Sequence, residues 1–190
     1  NEIGKNIDGY SFSTYLYKDK DKQGQLGKLV MGPLWDFNLA YGNVNYSNNA
    51  QFSPGWMWSD QHRMFWFRRL MQDAYFANAM KCRWQELRDG ILSNEYFTTT
   101  IDSMAVVLEE AQVRNYQRWP ILGNYVWPNQ FIGMTYQDEI GFLKQWIIDR
   151  LAWMDNNMPG NCNLITAVDD VNNSDRISVF PNPFSKAVTI

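Results

Sequence analysis

The chain has 190 residues, 45% of them hydrophobic and 16% aromatic, with 9 Trp and a formal net charge of -3. That length and apolar content imply one domain of ordinary size with a real core, plus a short appendage. The mildly acidic balance argues against a broad nucleic-acid surface, which needs clustered Lys and Arg, and no run approaches the roughly 18 apolar residues of a membrane span.

Residues 11–17 alternate small polar and large apolar side chains and predict a strand. A charged turn over 18–24 leads to a second strand at 28–31, which Gly32 and Pro33 end, so the first third holds a β-hairpin. Residues 42–61 are rich in Asn, Ser and Gly and predict a long loop, with Trp56 and Trp58 packing at least part of it down.

From about residue 63 the hydrophobic period becomes helical. Phe65, Leu70, Met71, Phe76, Met80, Trp84 and Leu87 predict one helix closed by Gly90. A second is predicted from about 94 to 118, ended by Trp119 and Pro120, and a Pro- and Gly-punctuated loop fills 120–134. Thr135 then stands as an N-cap with Asp138 in the first turn. Ile140, Leu143, Ile147, Leu151, Met154 and Met158 follow at spacings of 3 and 4, up to Pro159-Gly160. Residues 161–175 read as a polar linker, and 176–190 as the start of a further β unit. The chain reads as a piece of a longer protein, beginning within a domain and stopping inside strand-like sequence.

Two acids frame the hairpin. Asp8 precedes the first strand and Asp36 follows the second, in Trp35-Asp36-Phe37-Asn38. Kinase-like sites place a catalytic base ahead of a metal ligand in this order. Ser13, five residues after Asp8, and Asn38, two after Asp36, could add neutral oxygen ligands to a hard cation. Each Asp alone also suits a plain turn or a cap. His62 is the only histidine, so neither a Ser-His-Asp triad nor a zinc cluster can be assembled around it. Arg68, Arg69, Arg114 and Arg118 fit phosphate pairing, or equally a solvated helix face. The Trp excess suits sugar stacking or core packing.

Over residues 1–160 the chain resembles the C-terminal part of the CotH-type kinase family, the spore-coat kinases and their bacterial relatives. The resemblance rests on Asn1-Glu2-Ile3-Gly4-Lys5-Asn6-Ile7-Asp8-Gly9-Tyr10, on Tyr15-Leu16-Tyr17-Lys18-Asp19, and on Gly32-Pro33-Leu34-Trp35-Asp36-Phe37-Asn38. Lys81-Cys82-Arg83-Trp84 and Gln117-Arg118-Trp119-Pro120 fit as well. It implies an α+β fold: the mostly helical C-lobe of an atypical protein-kinase-like fold behind an N-terminal β-hairpin. It implies ATP, Mg²⁺ or Mn²⁺ as cofactors, and phosphorylation of Ser on a protein substrate. By position, Asp8 matches the catalytic acid and Asp36 the metal-binding acid. Ser13 stands where the family tends to have Asn, and Asn38 where many members have Asp, which implies weaker metal binding. No Gly-rich phosphate motif occurs, so the nucleotide lobe is expected to lie outside these residues and the chain by itself to be inactive.

The tail, Ile177-Ser178-Val179-Phe180-Pro181-Asn182-Pro183-Phe184-Ser185, resembles the start of the β-sandwich C-terminal sorting domain read by the type IX secretion machinery of Bacteroidetes. That resemblance implies a secreted or cell-surface protein. Export would permit a disulfide between Cys82 and Cys162, worth ~4 kcal/mol by loop closure; without export the pair reads as two buried thiols. Two alternatives stand beside the kinase reading: a non-catalytic kinase-like scaffold at the surface, and a carbohydrate-associated adhesive module.

Overall fold

A computed structural model describes residues 1–22, 24–60 and 65–164. His62, most of the predicted linker and the sorting-domain-like tail lie outside the described residues. The elements run β1 (Leu16–Lys18), β2 (Leu29–Met31), α1 (Asn48–Gln51), α2 (Phe65–Met71), α3 (Ala74–Arg88), α4 (Asn94–Val107), α5 (Glu109–Arg118) and α6 (Tyr136–Asn157), followed by a 3₁₀ turn at Cys162–Leu164.

β1 and β2 pair antiparallel, with Leu16 opposite Met31, Tyr17 opposite Val30 and Lys18 opposite Leu29. The strand predicted from residue 11 begins only at 16, and the reason is local. The Asp8 carbonyl accepts the N–H groups of Ser11, Phe12 and Ser13 at 3.3, 3.0 and 3.1 Å. Tyr10 N–H donates to Thr14 Oγ1 at 2.9 Å. A turn that uses those donors leaves nothing for a ladder.

Both long predicted helices are broken. Between α2 and α3, Asp73 turns its side chain back to accept the Phe76 N–H at 2.8 Å. This N-cap starts a new helix where apolar periodicity alone would continue the old one. Between α4 and α5 the break is the single residue Leu108, and Glu109 and Glu110 then sit in the first turn of α5, where the helix dipole favours negative charge. The last helix follows expectation: Thr135 and Asp138 form a reciprocal capping box.

α6 organises the core. Trp146, Ile147, Leu151, Met154 and Met158 are buried with Trp84 of α3, and Ile101 and Phe97 of α4 pack against them. Asp155 of α6 ties α3 down, accepting from Trp84 Nε1 at 2.9 Å and from the Arg88 guanidinium at 3.0 Å. Gly42, at φ +78, lies so close to Trp146 that a Cβ would come within 2.5 Å of its Nε1. A second small core of Ile7, Val44, Ala50 and Met57 packs the long loop against the N-terminal segment.

Cys82 and Cys162 are joined as a disulfide. The first residues of the predicted linker are therefore fastened to α3, and Asn161 N–H also donates to Asn78 Oδ1 at 2.7 Å. No helix among the described residues is long and apolar enough to cross a membrane.

Candidate active site

The segments carrying the two acids lie side by side. Ile7 N–H donates to the Leu39 carbonyl at 3.5 Å and Tyr41 N–H to the Gly4 carbonyl. Between them sits Asn6, fully buried. Its Oδ1 accepts the Asp8 N–H at 3.2 Å and its Nδ2 donates to the Asp36 carbonyl at 3.1 Å. One side-chain amide thus clasps the backbones of both candidate acids. An amide can do this because it carries an acceptor oxygen and donor N–H groups together, which a carboxylate or an ammonium does not.

Backbone strain concentrates in the same place. Lys5, Tyr10, Asp36 and Tyr41 have φ of 45, 64, 60 and 57. These are the non-glycine residues with positive φ among the described residues, and all four lie in the two paired segments. Left-handed backbone at bulky residues persists only where its surroundings over-determine it, and such clusters favour functional sites.

The side chains of the four predicted site residues are placed differently. Asp8 is half-buried and Asp36 exposed. Ser13 is buried and lines a small cleft of about 140 Å³ with Thr14, Gly32 and Trp35. Asn38 lines a different cleft, of about 330 Å³, and Phe37 forms a wall of both. Among the described residues no three His, Cys, Asp or Glu side chains gather into a metal-binding group. A Mg²⁺ ion usually takes only one or two carboxylates, the rest of its shell being water and phosphate oxygens.

The residues that fix this site were not singled out in the sequence. Arg150 of α6 is fully buried. Its Nε donates to the Glu2 carbonyl at 3.0 Å, one terminal nitrogen to the Ser53 and Gly55 carbonyls at 2.6 and 2.7 Å, and the other to Glu2 Oε2 at 3.2 Å. The guanidinium also lies over Trp56 and Trp153, 5.3 and 4.8 Å from the ring centroids. Glu2 in turn accepts the Met57 and Trp58 N–H groups at 3.0 and 2.7 Å. Lys5, also fully buried, donates to the Phe52 carbonyl at 2.8 Å and to the Pro54 carbonyl. The loop 52–58, irregular in structure, is thereby strapped to the segment that presents Asp8.

Burial sets the titration of this cluster. It lowers Arg150 to about 10, with Glu2 and Tyr10 opposing. It raises Tyr10, which is further held neutral by the adjacent Glu2. Lys5 falls to about 7, through burial first and the nearby Arg150 second, against the pull of Glu2. In an unfolded chain a Lys keeps its proton up to about pH 10.4. Between about pH 7 and about pH 10 the unfolded state therefore binds more protons, and stability rises with pH across that window. Lys5→Met removes this dependence. Urea midpoints measured across the window should climb in the wild type and climb less in the variant; equal slopes would refute the assignment.

The fold is thus a mostly helical lobe behind an N-terminal hairpin, the architecture of the C-lobe of a kinase-like protein, and two of its clasped, strained segments each carry one acid. The sequence pattern of the family described as CotH kinase protein matches residues 1–154, and the chain belongs to that family. No curated protein and no solved structure matches it.

Proposed function

We propose that this chain is the C-lobe of a secreted, ATP-dependent phosphotransferase that acts on Ser hydroxyls of a protein substrate. Asp8 is the base that takes the proton of the attacking hydroxyl. Asp36 holds Mg²⁺ or Mn²⁺, with Asn38 or Ser13, which line different clefts, as a neutral oxygen donor. A divalent ion there would supply charge neutralisation on the nucleotide phosphates. The observation that carries this reading is the Asn6 clasp, which fixes the backbones of Asp8 and Asp36 against each other. Family membership supports it at the level of a kinase-like protein. The disulfide is in keeping with an oxidising compartment, and with export by type IX machinery through residues 176–190.

A second reading, a kinase-like surface scaffold without turnover, is favoured by one observation: Ser13 and Asn38 line different clefts, so the two softened donors do not converge. The test uses the full-length protein, ATP, and Mg²⁺ or Mn²⁺. Wild type should show a nucleotide-dependent thermal shift that Asp36→Ala abolishes. Asp8→Ala should keep the shift and lose on the order of 10²–10⁴-fold in phosphoryl transfer. No shift in wild type favours the scaffold; a shift that survives Asp36→Ala removes its metal role.

A further inference from the structure

We propose that the 330 Å³ cleft between the Asp36 loop and the segment 116–143 is a binding site for a neutral saccharide. This goes beyond the phosphotransferase reading and does not depend on it, because the binding needs no nucleotide.

The lining carries the argument. One wall presents the rings of Phe37 and Tyr41, the other those of Phe131 and Phe142, which stack at 4.4 Å and 4°. Between these apolar faces stand neutral polar groups. The side chains of Asn38, Asn129 and Tyr116 make no hydrogen bond to any of the described residues. Glu139 spends one oxygen on the Gly133 N–H at 2.7 Å, and its other oxygen has no hydrogen bond among the described residues. The cleft thus offers amides, which donate and accept at once, one phenol and one acceptor oxygen.

Charge narrows the ligand class. No Lys, Arg or His is among the lining residues. A phosphate or carboxylate would enter without a counter-charge and would face Glu139. A wholly apolar ligand would strand the open amides away from water. A ring of hydroxyls with apolar C–H faces satisfies both, using its hydroxyls as donors and acceptors and laying its faces on the aromatic walls. The volume falls within the range of small-ligand sites.

A second feature extends the site. Asn45 N–H donates to the Pro128 carbonyl at 3.0 Å and Asn45 Nδ2 to Tyr125 Oη at 2.6 Å, joining the two walls just beyond Asn43 and Asn129. Next to that junction the rings of Tyr46 and Trp127 lie stacked, 5.9 Å apart and 16° from parallel, both more than half exposed. An exposed aromatic stack beside a polar cleft suits an oligosaccharide better than a single sugar.

The test titrates the 190-residue chain, without nucleotide, with tetrasaccharides of glucose, mannose and N-acetylglucosamine to about 10 mM, past the millimolar range of an open site. At least one should shift the side-chain amide resonances of Asn38 and Asn129. Tyr116→Phe, which removes only a hydroxyl, and Asn129→Ala should each weaken binding about tenfold, as loss of one hydrogen bond would. Trp127→Ala should weaken the tetrasaccharide and spare the monosaccharide. The proposal is overturned if no saccharide shifts those resonances, if both cleft variants bind as wild type does, or if a Ser-containing peptide displaces the sugar.

Discussion

Arg150→Met should lower the stability of this chain by about 3–5 kcal/mol, the range seen when one partner of a buried ion pair is removed. The loss has an identifiable origin. Methionine fills much of the same volume between Trp56 and Trp153, so packing changes little. What disappears is the positive charge facing the Glu2 carboxylate, which keeps the Met57 and Trp58 N–H groups, and the donors to the Glu2, Ser53 and Gly55 carbonyls. Against a total stability of ordinarily about 5–15 kcal/mol, this takes the chain close to unfolding. Urea denaturation followed by Trp fluorescence measures it, and a loss under about 1 kcal/mol would show that water reaches these groups and replaces the guanidinium.

Two companion variants separate charge from geometry. Arg150→Lys keeps the charge, but a single ammonium cannot reach acceptors spread around a planar fork, so about 2–3 kcal/mol should still be lost. Adding Glu2→Gln to Arg150→Met removes the unpaired carboxylate, and the double variant should be more stable than the sum of the single losses predicts. The pair also matters for the site. Glu2 lies four residues before Asn6, and the segment it anchors carries the clasp on Asp8 and Asp36. Loosening Arg150 should therefore broaden the backbone amide signals of residues 4–9 before the chain unfolds.

What could be read from the sequence was what neighbours along the chain decide. The capping box at Thr135 and Asp138 and the apolar stripe from Ile140 to Met158 depend on contacts within two turns, and both appear in α6. The hairpin was visible because β formers flank a charged turn. The break at Asp73 was also written locally, as an Asp three residues before the Phe76 N–H it caps, but apolar periodicity on both sides masked it. The break at Leu108 has no side-chain cap, and its local mark is the pair of acids, Glu109 and Glu110, in the first turn that follows. The site shows the same division. Asp8 and Asp36 stand out by their frames, whereas no local pattern singles out Asn6. Its role depends on a carbonyl 30 residues away. Nothing in the apolar stripe of α6 marks Arg150, because the carboxylate that permits its burial is 148 residues distant. Charged residues are almost never fully buried without a partner, and periodicity cannot see partners.

Replacing Cys82 and Cys162 together by Ala should cost about 4.5 kcal/mol, within the range expected for Arg150→Met but by a different route. The bond closes a loop of 80 residues, and in the chain-entropy model the cross-link acts mainly by restricting the unfolded ensemble. The native contacts on either side of it remain: Asn161 still donates to Asn78, and Gly160 still passes so close to α3 that a Cβ would come within 2.3 Å of the Ala77 carbonyl. The double variant should therefore keep the native near-ultraviolet spectrum at low temperature while its urea midpoint falls, and the wild type treated with a reductant should fall by the same amount. The bond joins α3 to the turn after α6, and neither cysteine lines the clefts that hold Ser13 and Asn38. Ligand binding measured in the folded state should survive its removal, whereas loss of binding without loss of stability would mean that the cross-link shapes the native site and not the unfolded chain.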